Sequence, residues 1–225
     1  MSKKICKFAT MQEVTKELQP KWNAVIIDVF AAQHHSCALT EFNSVKKIYC
    51  WGDNRFGQLG NSDFHDSYST VPIEVKESTS AFAGNKISAI GGTGDASCAI
   101  ASGKVYCWGG AGRGQSGPPP GGPGFGVYFT RAEIAGLPGE PKSIGAGISH
   151  TCALVDVSGT NKVYCWGSNE FGQLGAGENS DPRETGGFIQ SNTPLEVGGL
   201  PAGEKIVSMS AGANRGCVIM ENKRS

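Results

Sequence analysis

The chain has 225 residues, in which 20 lysines and arginines balance 20 aspartates and glutamates. Zero net charge with no basic run removes the electrostatic case for nucleic acid, and no apolar run approaches the ~20 residues that a membrane-spanning helix needs. Glycine, at 33 residues, is about twice its usual ~7% share, and without a collagen period that excess predicts many tight turns between short strands.

Residues 1–21 form an arm outside the pattern that follows. Met1 to Phe8 is basic but leads into no apolar core, so it is not a secretory leader and points to a cytoplasmic setting. Thr10-Met11-Gln12-Glu13 reads as the capping box of a short helix ending near Pro20. Three repeated units then occupy 22–78, 79–139 and 140–202, and part of a fourth fills 203–225. The first runs Cys37-Ala38-Leu39, Tyr49-Cys50-Trp51-Gly52, Gly57-Gln58-Leu59-Gly60 and closes on Val71 to Val75. The second runs Cys98-Ala99-Ile100, Tyr106-Cys107-Trp108-Gly109, Gly114-Gln115-Ser116-Gly117 and closes on Thr130 to Ile134. The third runs Cys152-Ala153-Leu154, Tyr164-Cys165-Trp166-Gly167, Gly172-Gln173-Leu174-Gly175 and closes on Thr193 to Val197. The fourth begins with Cys217-Val218-Ile219. The tryptophans are 57 and 58 residues apart, too long for helix-pair solenoids and close to a multi-strand blade.

Within each unit the two cysteines bracket a hairpin. Asn43-Ser44, Ser102-Gly103 and Ser158-Gly159 are two-residue turn candidates. These turns set Cys37 opposite Cys50, Cys98 opposite Cys107 and Cys152 opposite Cys165. Cys and Leu or Ile then share one face, Ala and Tyr the other. Each cysteine pair falls on a non-hydrogen-bonded site, where Cα atoms are roughly 4.5 Å apart and within disulfide reach. Cross-strand disulfides and buried free thiols both satisfy that register. The pairing of cysteines favours an oxidising, extracellular setting, against the missing leader. Cys6 and Cys217 are left over. Lys3-Lys4-Ile5-Cys6 loosely echoes Lys46 to Cys50 and could complete the fourth hairpin, although no Trp-Gly follows it.

The combination of Cys-x-Leu, Tyr-Cys-Trp-Gly and Gly-Gln-Leu-Gly in fixed order resembles the repeat of the regulator-of-chromosome-condensation family, over roughly residues 22 to 220. The resemblance implies an all-β chain, a β-propeller. The family's usual propeller has seven blades, so about three and a half repeats predict an incomplete one. It implies a protein partner held on a scaffold, with no catalytic residues, metal or cofactor. Other activities in the family's range are guanine-nucleotide exchange on a small GTPase and inhibition of an enzyme.

Residue-level chemistry is sparse. His35 and His150 precede cysteines by two positions, but a structural zinc site needs about four converging ligands, and Ala96 and Arg215 replace the histidine elsewhere. The glycine runs 91–95 and 109–114 lack the Lys-Ser/Thr ending of a phosphate loop. Asp53, Asp63, Asp66, Glu178 and Asp181 could bind calcium or simply solvate loops. Trp51, Trp108 and Trp166 recur at one place in the unit, as residues packed between blades do. Segments 63–69, 118–125 and 178–191 all follow the Gly-Gln-x-Gly motif and precede the next strand. They therefore leave one rim, and they carry Phe64, Tyr68, Phe125 and Phe188 as candidate partner-binding anchors. The common register makes the first testable statement. Non-reducing peptide mapping of the oxidised chain is expected to find Cys37–Cys50, Cys98–Cys107 and Cys152–Cys165; other partners for these six would refute the register.

Overall fold

A computed structural model describes residues 24–61, 67–76, 82, 86–117, 127–177, 189–201 and 204–221. The arm at 1–21, with its expected helix and Cys6, lies outside them. The described residues form fourteen strands and no helix. β1 (Val25–Ala31), β2 (His35–Phe42), β3 (Val45–Asp53) and β4 (Tyr68–Glu74) make one four-stranded sheet, each strand beside the next. β5 (Ile87–Gly92), β6 (Ala96–Ala101), β7 (Lys104–Gly110) and β8 (Val127–Glu133) make the second. β9 (Glu140–Ala146), β10 (His150–Val157), β11 (Thr160–Ser168) and β12 (Gln190–Glu196) make the third. β13 (Lys205–Gly212) and β14 (Arg215–Glu221) pair as a two-stranded sheet. These are three blades and a half-blade of a propeller.

The central hairpin of each blade forms at the expected turns. Asn43 and Ser44, Ser102 and Gly103, and Ser158 and Gly159 all have positive φ. Positive φ at both central residues is the turn whose twist matches the strands it joins. The resulting registers are Cys37 to Cys50, Cys98 to Cys107 and Cys152 to Cys165, with Cα atoms 4.1 Å apart and the sulfurs bonded in each pair. One step along, Leu39 meets Ile48, Ile100 meets Val105 and Leu154 meets Val163.

These alternating faces build the core between blades. The Cys/Leu face of the first blade, with Leu59 and Val75, packs against Ala99, Tyr106 and Trp108 of the second. The same face of the second blade, with Ile134, packs against Ala153, Tyr164 and Trp166 of the third. The third blade's Cys152, Leu154 and Leu174 meet Ile206, Met209 and Val218 of the half-blade. A single sheet of this kind has two apolar faces and cannot bury both alone, so stability is shared between neighbours.

The glycine of Tyr-Cys-Trp-Gly has a specific reason. Gly52, Gly109 and Gly167 have φ of +108°, +101° and +107°. A Cβ there would sit 2.6, 2.6 and 2.5 Å from the carbonyl oxygens of His34, Asp95 and Ser149. The tight approach carries a hydrogen bond, since Asp53, Gly110 and Ser168 donate their amides to those same carbonyls.

Trp108 is 1% exposed and touches Phe82 edge-on. Trp108→Ala is expected to lower unfolding free energy by ~3–5 kcal/mol, the range for aromatic-to-alanine changes in cores, as read by denaturant titration. A stability barely moved, with loss of binding instead, would mean that the ring stacks a ligand.

Candidate functional site

Each Gly-Gln-x-Gly motif is a pair of consecutive tight turns. In the first, Gly57 donates to Asn54 O and Gly60 to Gly57 O; the other two copies repeat both bonds. The glutamine side chain braces its own turn, its Oε1 accepting from the amide of Phe56, Arg113 or Phe171 at 3.0, 2.8 and 2.9 Å. That leaves the glutamine main-chain carbonyl aimed at the next blade. Gln58 O accepts from Trp108 Nε1 at 3.0 Å and from Ser97 Oγ at 2.8 Å. Gln115 O accepts from Trp166 Nε1 at 3.0 Å and from Thr151 Oγ1 at 3.1 Å. Both lone pairs of the carbonyl are used, which is all that a carbonyl offers.

The latch also explains the histidines. His35 Nε2 lies 2.7 Å from Ser97 Oγ. The hydroxyl proton of Ser97 goes to Gln58 O, so hydrogen-bond logic assigns the Nε2–H tautomer to His35. His150 holds the equivalent place in the third blade, and the half-blade carries Gly216, which has no hydroxyl, at the repeat position of Ser97. Both ring nitrogens of His150 lack a partner among the described residues. Trp51 is likewise buried, with its Nε1 unpartnered, because no blade before the first lies among the described residues.

The chemistry-bearing residues are otherwise apart. Asp53 is held by Arg55, with Nε 2.9 Å from Oδ1. Partial burial works against ionising Asp53, but the hydrogen bonds and charge of Arg55 outweigh it and hold the carboxyl below its usual range. Across the blade boundary His34 Nδ1 lies 3.1 Å from Asp95 Oδ1. His34, Asp53 and Asp95 thus bring ligand atoms within 4.8 Å of one another, a grouping that the sequence conceals because Asp95 is remote in the chain. Their polar atoms already serve the Arg55 and His34–Asp95 pairs. On the outer strands a Lys–Glu bridge recurs: Lys47 to Glu74 at 2.7 Å, Lys104 to Glu133 at 2.9 Å and Lys162 to Glu196 at 2.9 Å. Burial, reinforced by the Glu196 carboxylate that accepts its hydroxyl at 2.9 Å, pushes Tyr164 up to about 12.

The loop rim is described at its bases. Asn54 donates to Ser67 O at 2.7 Å, and Asn169 donates to Ile189 O at 2.6 Å, so the first and third loops return at equivalent points. Tyr68 is 66% exposed there and Ile189 42%. Phe64, Phe125 and Phe188, with Asp63, Asp66, Glu178 and Asp181, lie outside the described residues.

Comparison with known proteins decides the family. The sequence model of the Regulator of chromosome condensation (RCC1) repeat matches residues 47–100 and 160–219, and a second model of the same description matches 26–58 and 142–173. The chain belongs to the RCC1 repeat family. Human E3 ubiquitin-protein ligase HERC2 is 28% identical over 191 residues, 84% of this chain and 3% of that protein. The Arabidopsis thaliana ultraviolet-B receptor UVR8 is 29% identical over 164 residues, 69% of this chain and 32% of the receptor. Among solved structures, Prp20p of Saccharomyces cerevisiae superposes with a TM-score of 0.67 at 20% identity, covering 88% of this chain and 44% of that one. Human WBSCR16 superposes with a TM-score of 0.66 at 18% identity, covering 84% and 44%. The RCC1 chain thus spans less than half the length of each of these proteins.

In this RCC1 chain two imidazoles are kept neutral. Burial lowers both His35 and His150 to about 4. Their folded values lie below the unfolded ~6.5, so the unfolded chain binds more protons between those limits. Stability is therefore fully present above about pH 6.5 and falls as pH drops toward 4, by up to about 1.4 kcal/mol per pH unit per histidine. Denaturant midpoints measured across that window should show this loss, and His150→Gln should reduce its slope. A flat profile from neutrality to pH 4 would contradict it.

Proposed function

We propose that the chain is a non-enzymatic protein-binding module, a propeller scaffold that holds another protein on the rim formed by segments 63–69, 118–125 and 178–191. The observation that carries this reading is the pair of exposed apolar side chains at equivalent loop bases, Tyr68 and Ile189. Large apolar groups set on a rigid frame are what interfaces use as anchors. Phe64, Phe125 and Phe188 belong to the same three segments in sequence and extend the candidate surface. Solved relatives add support: Prp20p is described with binding properties to Gsp1p and histones, and yeast RCC1 is described bound to Kap60. The buried, neutral histidines and the bonded cysteines are committed to the scaffold, which leaves the loops as the part free to vary with the partner.

The test is binding of the purified chain to a panel of nucleotide-free small GTPases and hydrolases, beside a variant with Phe64, Tyr68, Phe125 and Phe188 all changed to Ser. The variant is expected to keep its Tm and lose capture of whichever panel member binds. If it unfolds instead, these side chains are core and the rim reading fails. A captured GTPase whose nucleotide release accelerates would select the exchange-factor reading. A captured hydrolase that loses activity would select the inhibitor reading.

A further inference from the structure

β4, β8 and β12 are the last strands of their sheets among the described residues, and the outer edge of such a strand is a template for another strand. Two of the three carry the same protection. Ser69 Oγ donates to Val71 O at 2.7 Å and accepts from Val71 N at 3.3 Å, and Pro72 follows. Ser191 Oγ donates to Thr193 O at 2.7 Å and accepts from Thr193 N at 3.3 Å, and Pro194 follows. The serine occupies the amide and carbonyl of one edge residue, and the proline has no N–H to offer at the next.

The second blade has neither device. Gly52, Gly109 and Gly167 pair with Ser69, Tyr128 and Ser191, and Cys50, Cys107 and Cys165 pair with Ile73, Ala132 and Leu195. Tyr128, which has no hydroxyl on Cβ, therefore stands at the serine position, and Arg131 stands at the proline position. The ladder sets the direction of the main-chain groups. Ile134 N donates inward to Val105 O at 2.8 Å, and inward and outward residues alternate along an antiparallel strand. The main chain of Ala132 thus faces β7, and the amides of Arg131 and Glu133 face the outer edge.

We propose that the outer edge of β8 is a self-association site, pairing antiparallel with β8 of a second copy of this chain about a two-fold axis at Ala132. The triplet Arg131-Ala132-Glu133 selects that occupant. Charges on an edge strand discourage pairing, but this triplet is its own complement when reversed. With the axis at Ala132, Arg131 lies opposite the partner's Glu133 and Glu133 opposite the partner's Arg131. Both residues have outward main-chain groups, so each pair exchanges both of its hydrogen bonds, and opposite charges directly across the junction stabilise it. An axis at Arg131 or at Glu133 would set like charges against each other, which fixes the register. Glu133 accepts from Lys104 at 2.9 Å within its own blade, yet its side chain stays 43% exposed. The same positions in the other blades, Pro72-Ile73-Glu74 and Pro194-Leu195-Glu196, hold no cation. The pairing uses none of Phe64, Tyr68, Phe125 and Phe188, so its outcome leaves the rim reading untouched.

Sedimentation velocity of the oxidised full-length chain reads the association, with Cys6→Ser and Cys217→Ser to prevent disulfides between copies. An interface built on one strand edge belongs to the small class, below ~1,200 Å², so monomer is expected to give way to dimer between about 1 μM and 1 mM. Arg131→Pro copies the two protected blades; it is expected to keep the Tm and to raise the dimer Kd at least about tenfold. Arg131→Glu and Glu133→Arg should each be monomeric alone, and an equimolar mixture of the two should dimerise, because every cross-strand pair is then of opposite charge. If Arg131→Pro lowers the Tm, the charge-swapped mixture decides. A monomer across the whole range would overturn the proposal, as would a dimer that survives a folded Arg131→Pro or a mixture no more associated than its components.

Discussion

One carbonyl at each boundary between complete blades holds this molecule in order. The main-chain oxygen of Gln58 accepts an indole N–H and a hydroxyl from the next blade, and that of Gln115 does the same. Buried hydrogen bonds of this kind contribute modestly when made, and their loss costs the desolvation of every group left without a partner. The glycines at 57, 60, 114, 117, 172 and 175, all at positive φ, wind the turns that aim the oxygen. The tryptophan that reaches it is also the largest side chain in the interface, so apolar burial and polar satisfaction depend on the same contact.

The latch accounts for the edges of the described array. Among the described residues the first blade has the donors without a preceding carbonyl, and Trp51 Nε1 is buried with no partner. The half-blade offers Gly216 where a hydroxyl stands in the second and third blades, and both nitrogens of His150 lack a partner among the described residues. These two departures lie at the ends of the described array, whereas at the two internal boundaries the indole and hydroxyl donors find their carbonyls.

Function follows from the division of labour. Strands, cysteines and tryptophans are spent on packing, and the proposed partner surface lies on the segments between Gly-Gln-x-Gly and the outer strand. They leave from equivalent points, as the bonds Asn54 to Ser67 and Asn169 to Ile189 show. A rigid frame with variable loops on one side can evolve binding without disturbing its core.

The sequence alone determined the blade. Turn residues at 43–44, 102–103 and 158–159 and strict alternation set a register in which a one-residue slip would turn every side chain to the wrong face. The place of Trp108 and Trp166 between blades was legible for the same reason, since a repeated residue meets a repeated environment. Tertiary structure decided which backbone atom the indoles bond. It also decided that His35 meets Ser97, 62 residues away, and that His34, Asp53 and Asp95 converge across a blade boundary. Those outcomes depend on how one blade is rotated and offset against the next, and that geometry is fixed by packing between units. Local pattern encodes the units; only their contact selects the polar pairs that the boundary brings together.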